Sequence, residues 1–229
     1  MYKTCEYREK NFYFFENKFT KNSELIKYDI NYPQINISSE SLYNKDYKIY
    51  NIQNLNNKIY NNAIKFKELL EKIALEHEEM YKEKAFKYQV EGYTQFFVTY
   101  NEKNTISILV EIFTITKGFN KKFFLKSYNW DILEGKELKL KDLFIRSVDY
   151  KKLINNYIKN KNLLFHTESG FEGISENQKF YITNNFIIIY LEESEKYPEY
   201  ICIPKIRLEI KEFKDYLNKD YLNKDYIDI

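Results

Sequence analysis

The chain has 229 residues and a mass of 28.1 kDa, enough for one large domain or two small ones. Hydrophobic residues make up 44%, with 23 Tyr and 18 Phe against only 5 Gly and 3 Pro, which excludes global disorder and long flexible linkers. Lys and Arg total 36 and Asp and Glu 34, interspersed along the chain, so the basic excess by which nucleic-acid binders displace counterions is missing and no nucleic-acid partner is expected.

The first ten residues, MYKTCEYREK, are polar and no apolar segment follows them, so no signal peptide is read. No run approaches the ~20 apolar residues of a membrane helix, so no membrane insertion is expected and the chain reads as cytoplasmic as written. Cys5 and Cys202 permit one disulfide or two independent thiols, and the missing export signal favours thiols. The surplus of Lys, Asn, Ile, Tyr and Phe matches AT-rich coding and is not read as function.

In chain order, a strand around residues 11–18 precedes Ile26, Tyr28, Ile30 and Tyr32, whose period of two marks a half-buried strand. A polar turn at 20–24 joins the two, and Pro33 ends the second strand or places it at a sheet edge. Ile52, Leu55, Ile59, Ala63 or Asn62, Phe66, Leu70, Ile73, His77 and Met80 then recur in steps of three and four, an amphipathic helix of many turns whose stripe lies across a sheet. Residues 92–100, a turn at 101–104, and residues 105–116 read as a hairpin, and 121–130 as the third strand of a meander.

The second half repeats the theme. KELKLKDLF at 136–144 leads to a shorter helix with Asp149 as N-cap and Leu153, Ile154, Tyr157 and Ile158 on its inner face. A loop over 163–177 follows, then a hairpin over 180–191 and a final strand on Ile206, Leu208 and Ile210. The sequence DYLNK stands at 215–219 and again at 220–224. A step of five residues keeps no face in helix or strand, so the repeat reads as a duplication that left a loosely held tail. The expected fold is α+β, with antiparallel sheets packed against one long amphipathic helix and a second, shorter one. It divides into an N-terminal part (1–120), a C-terminal part (121–213) and the repeat-bearing tail (214–229).

Catalytic constellations are weak. His77 begins like a zincin helix but no second His stands one turn on, so it reads as a residue of the helix stripe and no metal site is expected. His166, Glu168 and Ser169 are loop neighbours, too close in sequence to orient one another as a triad. No Gly-rich phosphate loop or nucleophile elbow occurs, so neither an enzyme activity nor a cofactor is expected. The aromatics at 12–15 and at Tyr93, Phe96, Phe97 and Tyr100 exceed what one strand face buries. Either a second layer covers the other face, or an aromatic patch is left for protein or sugar.

Several segments resemble one family, in order. They are Tyr32, Pro33, Gln34 and Ile35; then 52–59 with Asn56; then Tyr128, Asn129, Trp130 and Asp131, the pair Gly135 and Lys136, and Leu140 to Phe144; finally 180–182, 187–190 and 203–210. This order resembles the outer domain pair of the lysozyme-sensing bacterial anti-sigma factor, which also precedes the catalytic domain of some peptidoglycan deacetylases. The resemblance implies a non-catalytic recognition module whose relatives are extracytoplasmic. Its implied partner is a lysozyme-like protein or peptidoglycan. Contacts are expected on two loops, at Lys117, Gly118, Phe119 and Asn120 and at His166, Glu168 and Phe171. The alternatives are a cell-wall hydrolase with a carboxylate site and a cytoplasmic or spore structural protein.

Overall fold

A computed structural model describes residues 12–37, 46–80, 88–116, 120–163, 173–190 and 203–222. Strands β1 (Phe12–Asn22) and β2 (Ile26–Ile37) form the first hairpin. The chain then runs through the 35-residue helix α1 (Asp46–Met80) into β3 (Val90–Glu102), β4 (Thr105–Thr116) and β5 (Asn120–Asp131). With the short β6 (Lys136–Glu137) these strands make a six-stranded sheet in the order β1-β2-β3-β4-β5-β6. Helix α2 (Tyr150–Asn160) follows, and β7 (Phe180–Ile182), β8 (Phe186–Tyr190) and β9 (Lys205–Glu209) make a second, three-stranded sheet. No helix of the described residues is long and apolar enough to cross a membrane.

The α+β expectation holds, with one difference in pairing. Every strand pair is antiparallel except β2–β3, which is parallel. The reason is topological: α1 carries the chain back along the sheet, and a helical crossover returns it in the same direction. The parallel ladder is short, running only from Ile26–Val90 to Ile30–Thr94. Beyond it, β2 continues to Ile37 with β1 on one side and, among the described residues, no strand on the other. Pro33 sits in this half-open stretch, as the edge alternative expected. The inward positions also change parity there, from Ile26, Tyr28 and Ile30 to Pro33 and Ile35.

Two apolar clusters hold α1 to the sheet. Ile52, Leu55 and Ile59 pack on Ile106, Ile108, Tyr128 and Trp130. Ala63, Leu70 and Ala74 pack on Ile26, Tyr28, Ile30 and Val90. The close approach needs Gly92: a Cβ there would lie 2.2 Å from Leu70 Cδ1. Asparagine side chains complete the seam. Asn56 Nδ2 donates to the Ile35 carbonyl and its Oδ1 accepts from the Ile35 amide, both at 2.9 Å, so one side chain stands in for the missing neighbour strand. Asn51 Nδ2 donates to the carbonyls of Ile132 and Leu133 at the turn where Gly135 has φ +65°.

The three-stranded sheet is apolar on both faces. Phe180, Ile182, Ile187, Ile189, Ile206 and Leu208 share a core with Ile154 and Ile158 of α2, whose N-cap Asp149 accepts from the Lys152 amide as the sequence predicts. Tyr181, Ile188 and Tyr190 turn the other way, onto Leu109 and Leu125 of the six-stranded sheet. The layers therefore run α1, six-stranded sheet, three-stranded sheet, α2. A buried polar link crosses between the sheets. Ser107 Oγ donates to Asn129 Oδ1 (2.7 Å) and accepts from the Ile182 amide (3.0 Å), while Asn129 Nδ2 donates to the Phe180 carbonyl (2.8 Å).

The repeat corrects its reading as a loose tail. Leu217 and Leu222 are buried in the core of the second sheet, and Leu217 forms a bridge with Phe144. The five-residue step works here because residues 214–222 run through turns, where no helix or strand period applies. Of the tyrosines beside them, Tyr216 is exposed and Tyr221 is half-buried against the same core. Cys5 and Cys202 lie outside the described residues.

Two stability outcomes follow. Asn129→Ala and Ser107→Ala should each cost about 1–3 kcal/mol, because each leaves buried backbone groups unpaired. The double variant should cost less than the sum, by more than ~0.5 kcal/mol, in urea unfolding. Asn56→Leu should cost about 2 kcal/mol, and Asn56→Asp, which keeps the acceptor but not the donor, should fall between it and the native chain in the same assay.

Candidate functional site

Where the β2–β3 ladder stops, the sheet opens beneath α1. The seam is locked at that point by a reciprocal pair: Asn31 Nδ2 donates to the Thr94 carbonyl at 3.1 Å, and Thr94 Oγ1 donates to the Asn31 carbonyl at 2.7 Å. The opening beyond is a cleft of about 260 Å³ between the flank of α1 and the sheet. Ile30, Ile59, Ala63, Phe66, Val110 and Ile112 make it apolar. Lys126 of β5 lines its inner wall beside Tyr128, the ammonium 5.8 Å from the ring centroid, within cation–π range. Asn62 Nδ2 donates to the Tyr128 hydroxyl at 3.0 Å.

The electrostatics of this wall are one-sided. Burial lowers the Lys126 pKa, and the neighbouring Lys58, Lys179 and Lys65 lower it further, with Glu137 opposing them. Glu137 is itself engaged by Lys58, at 2.5 Å. Lys126 forms no ion pair among the described residues. Burial also pushes the Tyr128 phenol up to about 12, so it stays protonated, and with Asn62 donating to its oxygen its own hydrogen is left to donate.

The cleft has an aromatic rim. Tyr32, which lines the cleft, packs against Phe19 of β1 (ring centroids 5.1 Å apart) and edge-on against Tyr60 of α1 (5.9 Å). Tyr60 is 45% exposed. Further along α1, Glu71 anchors the helix to the first hairpin. It accepts from the Tyr28 hydroxyl at 3.1 Å and pairs with Lys21 and Lys67 at 3.5 Å. Burial raises the Glu71 pKa, but Tyr28 and the two lysines outweigh it, and the net shift is downward.

Of the loop residues expected to make contacts, only Asn120 is described: it is exposed at the start of β5. Lys117, Gly118, Phe119, His166, Glu168 and Phe171 lie outside the described residues. Leu163, where the second loop begins, lines a second hollow of about 440 Å³ with Tyr181, Ile188 and Arg207. His77 is buried in the helix stripe. No group of three or more metal-ligating side chains occurs among the described residues. The aromatics are covered only in part. The second sheet covers the outer face at Leu109 and Leu125, while Tyr13, Phe15 and Phe97 remain exposed.

The sequence reading passed over the cleft, although one signal marks it. In β5, Phe124, Tyr128 and Trp130 alternate toward one face, and Lys126 is the charged residue in that series. A lysine at an inward position of an aromatic strand face is unusual enough to flag.

No protein-family model matches the chain, and neither does any curated protein. Solved structures do. A member of the DUF3298 family from Bacteroides fragilis aligns with a TM-score of 0.68 at 17% identity, over 92% of this chain and 95% of that one. A DUF3298 family protein from Pseudomonas aeruginosa aligns with a TM-score of 0.48 at 11% identity, over 93% and 96%. The chain thus shares its fold, nearly end to end, with the Bacteroides protein of that family.

The Glu71 anchor gives a pH test. A carboxylate whose folded pKa is depressed adds stability above its ordinary value of 4.5, and that stability is lost as pH falls through the lower folded value. Glu71→Gln should therefore destabilise the protein at neutral pH, with the cost vanishing at pH below the usual carboxylate range. Urea melts of both proteins at the two pH values check this. An equal cost at both would mean that the carboxylate charge contributes nothing.

Proposed function

We propose that this chain is a non-catalytic recognition module, akin to the sensor ectodomain of the lysozyme-sensing anti-sigma factor, and that it engages a protein or cell-wall glycan at the cleft between α1 and the six-stranded sheet. The observation that carries this reading is the construction of the cleft. Sheet pairing stops at Ile30–Thr94, the reciprocal Asn31–Thr94 bonds fix the end of the ladder, and α1 holds the opening apart. An apolar hollow with a few converging polar groups is the usual form of a binding site.

Two further facts support it. Three buried polar side chains are occupied in holding backbone: Ser107 and Asn129 bridge the sheets, and Asp131 Oδ1 accepts from the amides of Leu133 and Glu134. The rim formed by Tyr32 and Tyr60 offers ring faces and hydroxyls, the combination that anchors both protein and sugar partners.

Retention of the purified chain on immobilised lysozyme and on washed peptidoglycan tests the proposal. The native chain should bind one of the two saturably. Ala63→Trp, which fills the cleft, should abolish that binding. Tyr60→Ala, an exposed change that spares the core, should weaken it by about tenfold or more. Binding that survives both changes would place the contact elsewhere, and retention on neither support would count against the recognition role.

A further inference from the structure

We infer that the inner end of this cleft is an anion pocket for a compact organic acid, a carboxylate carried on a short apolar body, held by Lys126 and Tyr128. This rests on reading the cleft as the binding site, and it adds the chemical class of what enters.

The argument begins with an imbalance of charge. Lys126 sits on an apolar wall with Val110 and Ile112 nearby, and desolvation of an ammonium is costly unless a counter-charge repays it. Among the described residues no carboxylate repays it. The opposing acidic group, Glu137, is paired with Lys58, and Lys58, Lys179 and Lys65 all add repulsion. The Tyr128 ring offers only a weak substitute. A carboxylate entering the cleft would supply the missing charge, accept from the ammonium, and take the free hydrogen of the Tyr128 hydroxyl. A cationic ligand would meet the same lysines and be repelled.

The rest of the cleft sets the body of the ligand. Behind the two donors the walls are Ile30, Ile59, Ala63, Phe66 and Ile112, which offer contact but no hydrogen bonds from their side chains. A volume of about 260 Å³ lies just below the ~300–1,000 Å³ of most small-molecule sites, so a short chain or a single ring fits and a long lipid does not.

Isothermal titration with octanoate tests this, with octanol and octylamine as probes of equal length. Octanoate should bind saturably with one site, and the alcohol and amine should bind at least about tenfold more weakly, the loss of one charge-assisted hydrogen bond. Lys126→Met should weaken octanoate to the level of octanol, whereas Lys126→Arg should retain it within a few-fold. Lys72→Met, an exposed change on α1 away from the cleft lining, should change it little. Equal binding of octanoate and octanol, or octanoate binding unchanged in Lys126→Met, would overturn the anion pocket. Lack of octanoate binding in a chain whose lysozyme or peptidoglycan retention is still lost on Ala63→Trp would overturn the pocket alone and leave the recognition role standing. Octanoate binding without retention on either support would do the reverse.

Discussion

The short parallel ladder between β2 and β3 is the constraint on which the remainder of the architecture turns. A strand that leaves its neighbour exposes backbone amides and carbonyls, and buried groups of that kind must find partners. Here they are met by side chains instead of strand. Asn31 and Thr94 close the last rung, and four residues on Asn56 reaches down from α1 to satisfy Ile35 on both its backbone groups. The helix is thus held where the sheet is open, and the gap that it spans becomes the cleft.

The same device recurs between the two sheets. Ser107 and Asn129 lie on the face of the six-stranded sheet that β7 approaches, and they bond the Ile182 amide and the Phe180 carbonyl. Net gains from such bonds are small, but the penalty for leaving them unmade is not. They fix which residues of β7 meet which residues of β4 and β5, so they contribute register as much as energy. The apolar contacts of Leu109 and Leu125 with Tyr181, Ile188 and Tyr190 then close the interface.

This gives the family-like segments a physical meaning. Tyr32 to Ile35 and Asn56 are distant in sequence but form one joint. Asn129 and the segment 180–182 form another, and Asp131 and Gly135 shape the turn that Asn51 clasps. The residues that carry the resemblance are those that pin the backbone of this fold. The cleft draws on both kinds of position: Tyr32, Ile59 and Tyr128 belong to those segments, whereas Lys126, Asn62 and Ala63 stand outside them.

Much of the frame was legible from local pattern. Period two marked β2 and β9, steps of three and four marked α1, and Asp149 announced the start of α2, because these signals depend on neighbours within one element. The sequence by itself also determined that Lys126 stands among aromatics on one strand face, since alternation is a property of the strand alone. Tertiary structure decided what lies opposite. The parallel pairing of β2 with β3, the burial of Leu217 and Leu222 in a repeat with no regular period, and the meeting of Asn56 with Ile35 all involve partners far apart along the chain. No local period encodes such a partner: it is selected by which backbone groups remain unpaired and which apolar faces remain uncovered once the layers have come together.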